Sequence, residues 1–198
     1  MMPVHARRHV RGFSLVEVMV AVVVICVGML GIAKMQALSL SNMTTSRLRS
    51  LAAIQAASLA AAMRTNRQYW VSTTPANTVV NPRANPVVQS TDAGLQAQAS
   101  ADFAGGLNAC VGTSGGGAAC TPVLLASYDV ARWAAALQQL LPNPTATIAC
   151  PPVLGANPQT CTIQVTWTEQ AVAINQQEAT APGVGQFENP SYVLYVEP

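Results

Sequence analysis

Gly12 and Phe13 stand behind three arginines, Arg7, Arg8 and Arg11, and ahead of an apolar run that carries one acid, Glu17. Two kinds of chemistry are open to this set. The Gly12–Phe13 bond is a candidate for proteolysis, because a side chain at position 12 would obstruct close approach to the scissile backbone. Cleavage there creates an α-amino group on Phe13, four residues from the Glu17 carboxylate. A carboxylate at the centre of a spanning helix costs about 2.5–3.5 kcal/mol on insertion scales, less near the helix end, and intramembrane acids usually have a partner. No Lys or Arg lies near Glu17 on the same run after Phe13. The new amine is the candidate partner, within one chain or from a neighbouring copy. In the second arrangement an insertion penalty becomes an assembly contact that sets register.

Other chemistries are excluded by subtraction. The only histidines, His5 and His9, precede Gly12, so a chain cut after Gly12 has none. That removes histidine general acid–base catalysis, Ser–His–Asp triads and histidine-ligated zinc. The run "GTSGGGA" is glycine-rich, but no Gly-Lys-Ser/Thr follows it, as a phosphate loop requires. Asp92, Asp102, Asp129, Glu169, Glu178, Glu188 and Glu197 are scattered, and solvated or capping roles are expected of them, with Asp129 as a helix cap. No catalytic residue, cofactor or metal is expected. The net charge is +2, and without Arg7, Arg8 and Arg11 seven cations face eight acids. Nucleic-acid binding is therefore not indicated by electrostatics.

These residues need elements to hold them. Phe13 to Ala33 spans 21 residues with one ionisable group, enough to cross a bilayer as a helix. The apolar run continues past Gly31, longer than the core of a cleaved secretory signal. The arginines before it are kept cytoplasmic by the positive-inside rule. Hydropathy alone allows an ordinary signal-anchor equally well. From Met35 to about Arg67 there is no Pro or Gly, and two apolar stripes recur at helical spacing. One is Leu40, Met43, Leu51 and Ile54; the other is Leu48, Ala52, Leu59 and Met63. Both are expected to pack in a core. The whole helix, Phe13 to about Arg67, would be roughly 80 Å long. Gly28 and Gly31 could loosen it or serve close helix approach.

Residues 68–126 are rich in Pro, Asn, Thr, Ser and Gly and read as an irregular surface region, with a short helix near Ala97–Phe103. Residues 127–198 read as a helix followed by an antiparallel sheet. "SYDVARWAAALQQLLPNP" is the helix, capped by Ser127 or Asp129 and stopped by Pro142 and Pro144. "TATIAC", "CTIQVTWTE" and "SYVLYVE" are strands; in the second, Cys161, Ile163, Val165 and Trp167 alternate with Thr162, Gln164, Thr166 and Thr168.

Gly12-Phe13-Ser14-Leu15-Val16-Glu17-Val18 with its apolar run resembles the signal of type IV prepilins and type II secretion pseudopilins. The resemblance covers about the first third of the chain. It implies a leader, 1–12, cut by prepilin peptidase after Gly12, with N-methylation of the new terminal Phe13. The fifth residue of the mature chain in that family is Glu, the place of Glu17. The segments that follow are a transmembrane and filament-core helix, 13–34, and the amphipathic second half of the helix, 35–67. An irregular variable loop region, 68–126, and a periplasmic head, 127–198, complete the chain. The implied fold class is α+β: a long N-terminal helix packed by its second half on a small antiparallel sheet. Many major pilins carry a helix-bending proline where Lys34 stands here, and this chain departs from them. The Asp129-Trp133-Leu137 helix and the strand ending "VTW" are similar to minor pilins of the PilV type.

That resemblance implies a minor pilin in type IV pilus assembly and priming, serving twitching motility, adhesion or DNA uptake. Its implied partners are prepilin peptidase, an inner-membrane assembly platform, other minor pilins and the major pilin. Its implied location is the inner membrane, single pass with a periplasmic head, and then the pilus. The alternatives are a minor pseudopilin of a type II secretion system and an uncleaved, signal-anchored periplasmic binding protein. A ligand-binding head on a true pilin is a further possibility, but no aromatic–basic cluster locates such a site.

Cys26 lies in the apolar run and reads as a small apolar residue. Cys110, Cys120, Cys150 and Cys161 all fall in the exported part, an even number that suits an oxidising compartment. Four cysteines allow three connectivities. Local pairing, Cys110–Cys120 and Cys150–Cys161, is expected, the first stapling a glycine-rich loop and the second clipping two strands.

Overall fold

The structure, a computed structural model, describes residues 12–71, 77–105, 110, 120–151, 159–170 and 187–198. The chain divides into two compact units, Met1–Met43 and Thr44–Pro198. Helix α1, Leu15–Thr65, is unbroken through Gly28 and Gly31 and contributes to both. Its most apolar window, near the N-terminus, is fully unburied, and the helix is long and apolar enough to cross a membrane.

The second unit, the head, is built from α1 after Thr44, short helix α2 (Arg67–Trp70), helices α3 (Ala93–Phe103) and α4 (Pro122–Leu140), and two sheets. Strands β1 (Thr78–Val80), β2 (Val88–Ser90), β3 (Thr145–Ala149), β4 (Cys161–Thr166) and β7 (Ser191–Val196) form a sheet in the order β2-β1-β3-β4-β7, antiparallel throughout. Strands β5 (Glu169–Gln170) and β6 (Phe187–Glu188) form a separate pair.

Period-2 alternation decides which face of the main sheet is dry. Val80, Ala146, Val165 and Tyr192 stand in one cross-strand row, and Thr78, Ile148, Ile163 and Leu194 in the next. These side chains share one core with Ala52, Ala56, Leu59, Ala60 and Met63 of α1 and Val130, Trp133, Ala134 and Leu137 of α4. The opposite face, with Gln89, Val79, Thr147, Gln164 and Val193 in one row, carries no charge. Three alanines on the buried face of α1 let its backbone come close to its neighbours. The indole of Trp133 is near enough to donate to the Gln55 carbonyl oxygen at 2.9 Å.

The head differs from the sequence reading at its element starts. Helix α4 begins at Pro122, not Ser127. Thr121 caps it by accepting from the Leu124 N–H, and Pro122 takes the first turn, where its missing N–H has no intrahelical partner to lose. Ser127 and Asp129 are interior helix residues, not caps. Helix α3 begins at Ala93, four residues before the expected start, because the Asp92 carboxylate accepts from Gly94 and Leu95 N–H. Within the stretch expected to be irregular, 78–80 and 88–90 pair as β1 and β2. On α1 the stripe Leu48, Ala52, Leu59 and Met63 faces the core, whereas Leu40, Met43 and Ile54 are exposed. The helix stops at Thr65, where buried Asn66 donates from Nδ2 to the Pro122 carbonyl oxygen at 2.7 Å and so ties the start of α4 to the end of α1.

Disulfides join Cys110 to Cys120 and Cys150 to Cys161. Ala149 pairs with Thr162, so Cys150 and Cys161 are the next opposed positions in the same register. A long apolar N-terminal helix with a C-terminal five-stranded antiparallel sheet is an α+β, pilin-like architecture.

Candidate processing and assembly site

Gly12, Phe13 and Ser14 precede the first turn of α1. The Ser14 carbonyl oxygen accepts from the Glu17 N–H at 3.0 Å and from the Val18 N–H at 3.3 Å, which starts the helix. Glu17 therefore stands in the first turn, where its carboxylate is favoured by the positive end of the helix dipole. Among the described residues it has no ionic partner. Phe13 is 83% exposed. The leader residues Arg7, Arg8 and Arg11, with His5 and His9, lie outside the described residues.

Among the described residues nothing requires a glycine at position 12. A Cβ built there meets nothing within 4 Å, and its φ is not in the left-handed region. The same open space surrounds Gly28 and Gly31. Gly105 differs, with φ at +89°, a conformation that favours glycine for conformational reasons.

The head gathers its polar groups for structural work. The Tyr69 hydroxyl donates to Asp92 at 2.9 Å, so one carboxylate both caps α3 and holds α2. Burial, followed by that hydrogen bond and the Asp92 charge, pushes the Tyr69 phenol well above its ordinary value. Asp102 accepts from Gln98 Nε2 and from the Ser127 hydroxyl, joining α3 to α4. Buried Glu169 accepts from the Trp167 indole at 2.9 Å and meets Arg49 of α1 at 3.5 Å. Partial burial raises the Asp129 carboxyl above the usual range. Glu178 lies outside the described residues. A half-open cavity of about 380 Å³, lined by Arg64, Thr160, Tyr195, Val196 and Glu197, offers one cation and one acid but no nucleophile beside a base. Among the described residues no three His, Cys, Asp or Glu side chains cluster as metal ligands.

Residues 7–33 match the Prokaryotic N-terminal methylation motif. This motif is the type IV prepilin-like signal, and it indicates a pilin-like or pseudopilin precursor that is processed by prepilin peptidase. With the apolar helix that follows, it points to membrane anchoring. No curated protein and no solved structure matches the chain significantly.

Proposed function

We propose that the chain is a minor pilin of a type IV pilus, PilV-like. In this reading prepilin peptidase cuts between Gly12 and Phe13 and methylates the Phe13 amine. The remaining helix holds the protein in the inner membrane with its head in the periplasm. Glu17 then pairs with the Phe13 amine of a neighbouring subunit and sets register on the assembly platform, beside other minor pilins and the major pilin. The subunit primes pilus assembly and so serves twitching motility, adhesion or DNA uptake.

The observation that carries the reading is Gly12, where an added Cβ would meet no described residue within 4 Å, placed directly before Phe13 and five residues before Glu17. The test is intact mass and N-terminal peptide analysis of the protein recovered from membranes of a peptidase-competent host. The expected chain starts at Phe13 and carries one added methyl group. A chain that keeps its leader would overturn the reading. Gly12→Leu is expected to leave the leader attached. The methylation motif serves a type II secretion pseudopilin equally well, and the partners that co-purify after crosslinking separate the two.

A further inference from the structure

The two disulfides of the head have opposite surroundings. Cys150 and Cys161 extend the β3–β4 ladder one step beyond the Ala149–Thr162 pair. Both belong to the core, at 1% and 0% exposure, and Cys161 lies opposite Val196 of β7, itself 1% exposed. Cys110 and Cys120 belong to no helix or strand; Cys110 is half-buried and Cys120 is exposed. Exchange requires a thiolate to reach a disulfide sulfur, so access decides which bond can react while the chain is folded. A thiol meets the buried pair only when the core opens, and core elements open at a free energy close to that of global unfolding.

We infer that Cys110–Cys120 is a thiol-exchange site of the folded head, open to an external dithiol, whereas Cys150–Cys161 is a structural cross-link that exchanges only on unfolding. A thiolate of the dithiol attacks Sγ of exposed Cys120, the Cys110–Cys120 bond breaks, and Cys110 leaves as the thiolate. The second thiol of the reagent then attacks the mixed disulfide and releases Cys120. Two electrons and two protons pass to the protein, which ends with two thiols, and the reagent ends as a disulfide. The head has other ties to keep it folded after this step. Cys120 directly precedes Thr121, the cap of α4, but the start of α4 is also held by Asn66, which donates to the Pro122 carbonyl oxygen. Further along α4, the Ser127 hydroxyl donates to Asp102 of α3 and the Trp133 indole donates to the Gln55 carbonyl oxygen of α1. None of these contacts passes through Cys110 or Cys120.

The test is timed reduction of the full chain in detergent micelles, in a Cys26→Ala background, with dithiothreitol as the probe. Samples quenched with N-ethylmaleimide are mapped by peptide mass spectrometry, while tryptophan emission follows the head. All four cysteines are expected to resist alkylation before reduction. Cys110 and Cys120 should then become alkylated at least about a hundredfold faster than Cys150 and Cys161, with emission unchanged. Urea below the unfolding midpoint should speed the slow pair several-fold and leave the fast pair nearly unchanged. Equal rates, faster reduction of Cys150–Cys161, or free thiols at Cys110 and Cys120 before reduction would each overturn the proposal. So would a slow pair indifferent to urea, or an emission change that tracks the loss of Cys110–Cys120.

Discussion

Between Leu15 and Met35 helix α1 exposes its valines, leucines and methionines; between Ala52 and Met63 the same helix buries one face, Ala52, Ala56, Leu59, Ala60 and Met63, and leaves Ile54 exposed. The two stretches have similar local propensities and opposite demands. In the head every buried side chain answers to a neighbour in this chain, as Met63 answers to the core shared by α1, α4 and the sheet. Among the described residues the first unit offers no such neighbour, and in the proposed reading the residue choices at Gly12, Phe13 and Glu17 answer instead to a membrane, a peptidase and another subunit. A substitution should accordingly damage one property in one region and a different property in the other.

The largest contrast is expected at Glu17. In the proposed reading Glu17→Val removes an intramembrane charge, so the chain should insert normally and keep a folded head. Its recovery in sheared pili should fall at least tenfold, and wild-type recovery would break the comparison. Next come two methionines. Met63→Ala is expected to cost the head about 2–5 kcal/mol, because a fully buried side chain leaves a cavity. Met29→Ala should leave head unfolding unchanged within about 0.5 kcal/mol, as at surface positions away from special features. Chemical denaturation of both variants in micelles checks the pair. Tyr69→Phe should cost about 1 kcal/mol near neutral pH, the net worth of one hydrogen bond. The phenol is raised in the folded head and more acidic when unfolded, so the intact head should lose stability as pH rises past the ordinary tyrosine value. The phenylalanine variant should show a shallower alkaline loss.

The smallest effect is expected at Asp129. Its carboxyl is raised in the folded state, so its ionisation opposes folding at neutral pH, and that opposition fades as pH falls into the carboxylate range. Asp129→Asn should therefore be slightly more stable than the parent at pH 7, with the gain disappearing on acidification. A variant less stable at neutral pH would show that the charged form makes a favourable contact.

The N-terminal motif was legible because its meaning is linear: a glycine, the phenylalanine after it and an acid at fixed spacing need no tertiary context. The strand β4 was legible for the same reason, since alternation along one segment names its buried face. The rest depended on partners far along the chain. Leu40, Met43 and Ile54 share the apolar arc of α1 with Leu51, and only the position of α4 and the sheet decides which side is dry. Strands β1 and β2 have three residues each in Pro- and Asn-rich surroundings, and β1 is a strand because Thr78–Val80 completes the edge of β3. Thr121-Pro122 and Asp92 are helix starts by the rules of capping, but the loop-like composition around them hid the signal.

The three tryptophans carry an optical consequence. Trp70, Trp133 and Trp167 are all in the head and all buried, and Trp133 donates directly to the backbone of α1. Intrinsic fluorescence of this protein is therefore a signal from the head alone, silent about the anchor. A shift in emission on moving from detergent to lipid would report a change in the packing of the head, read without any label.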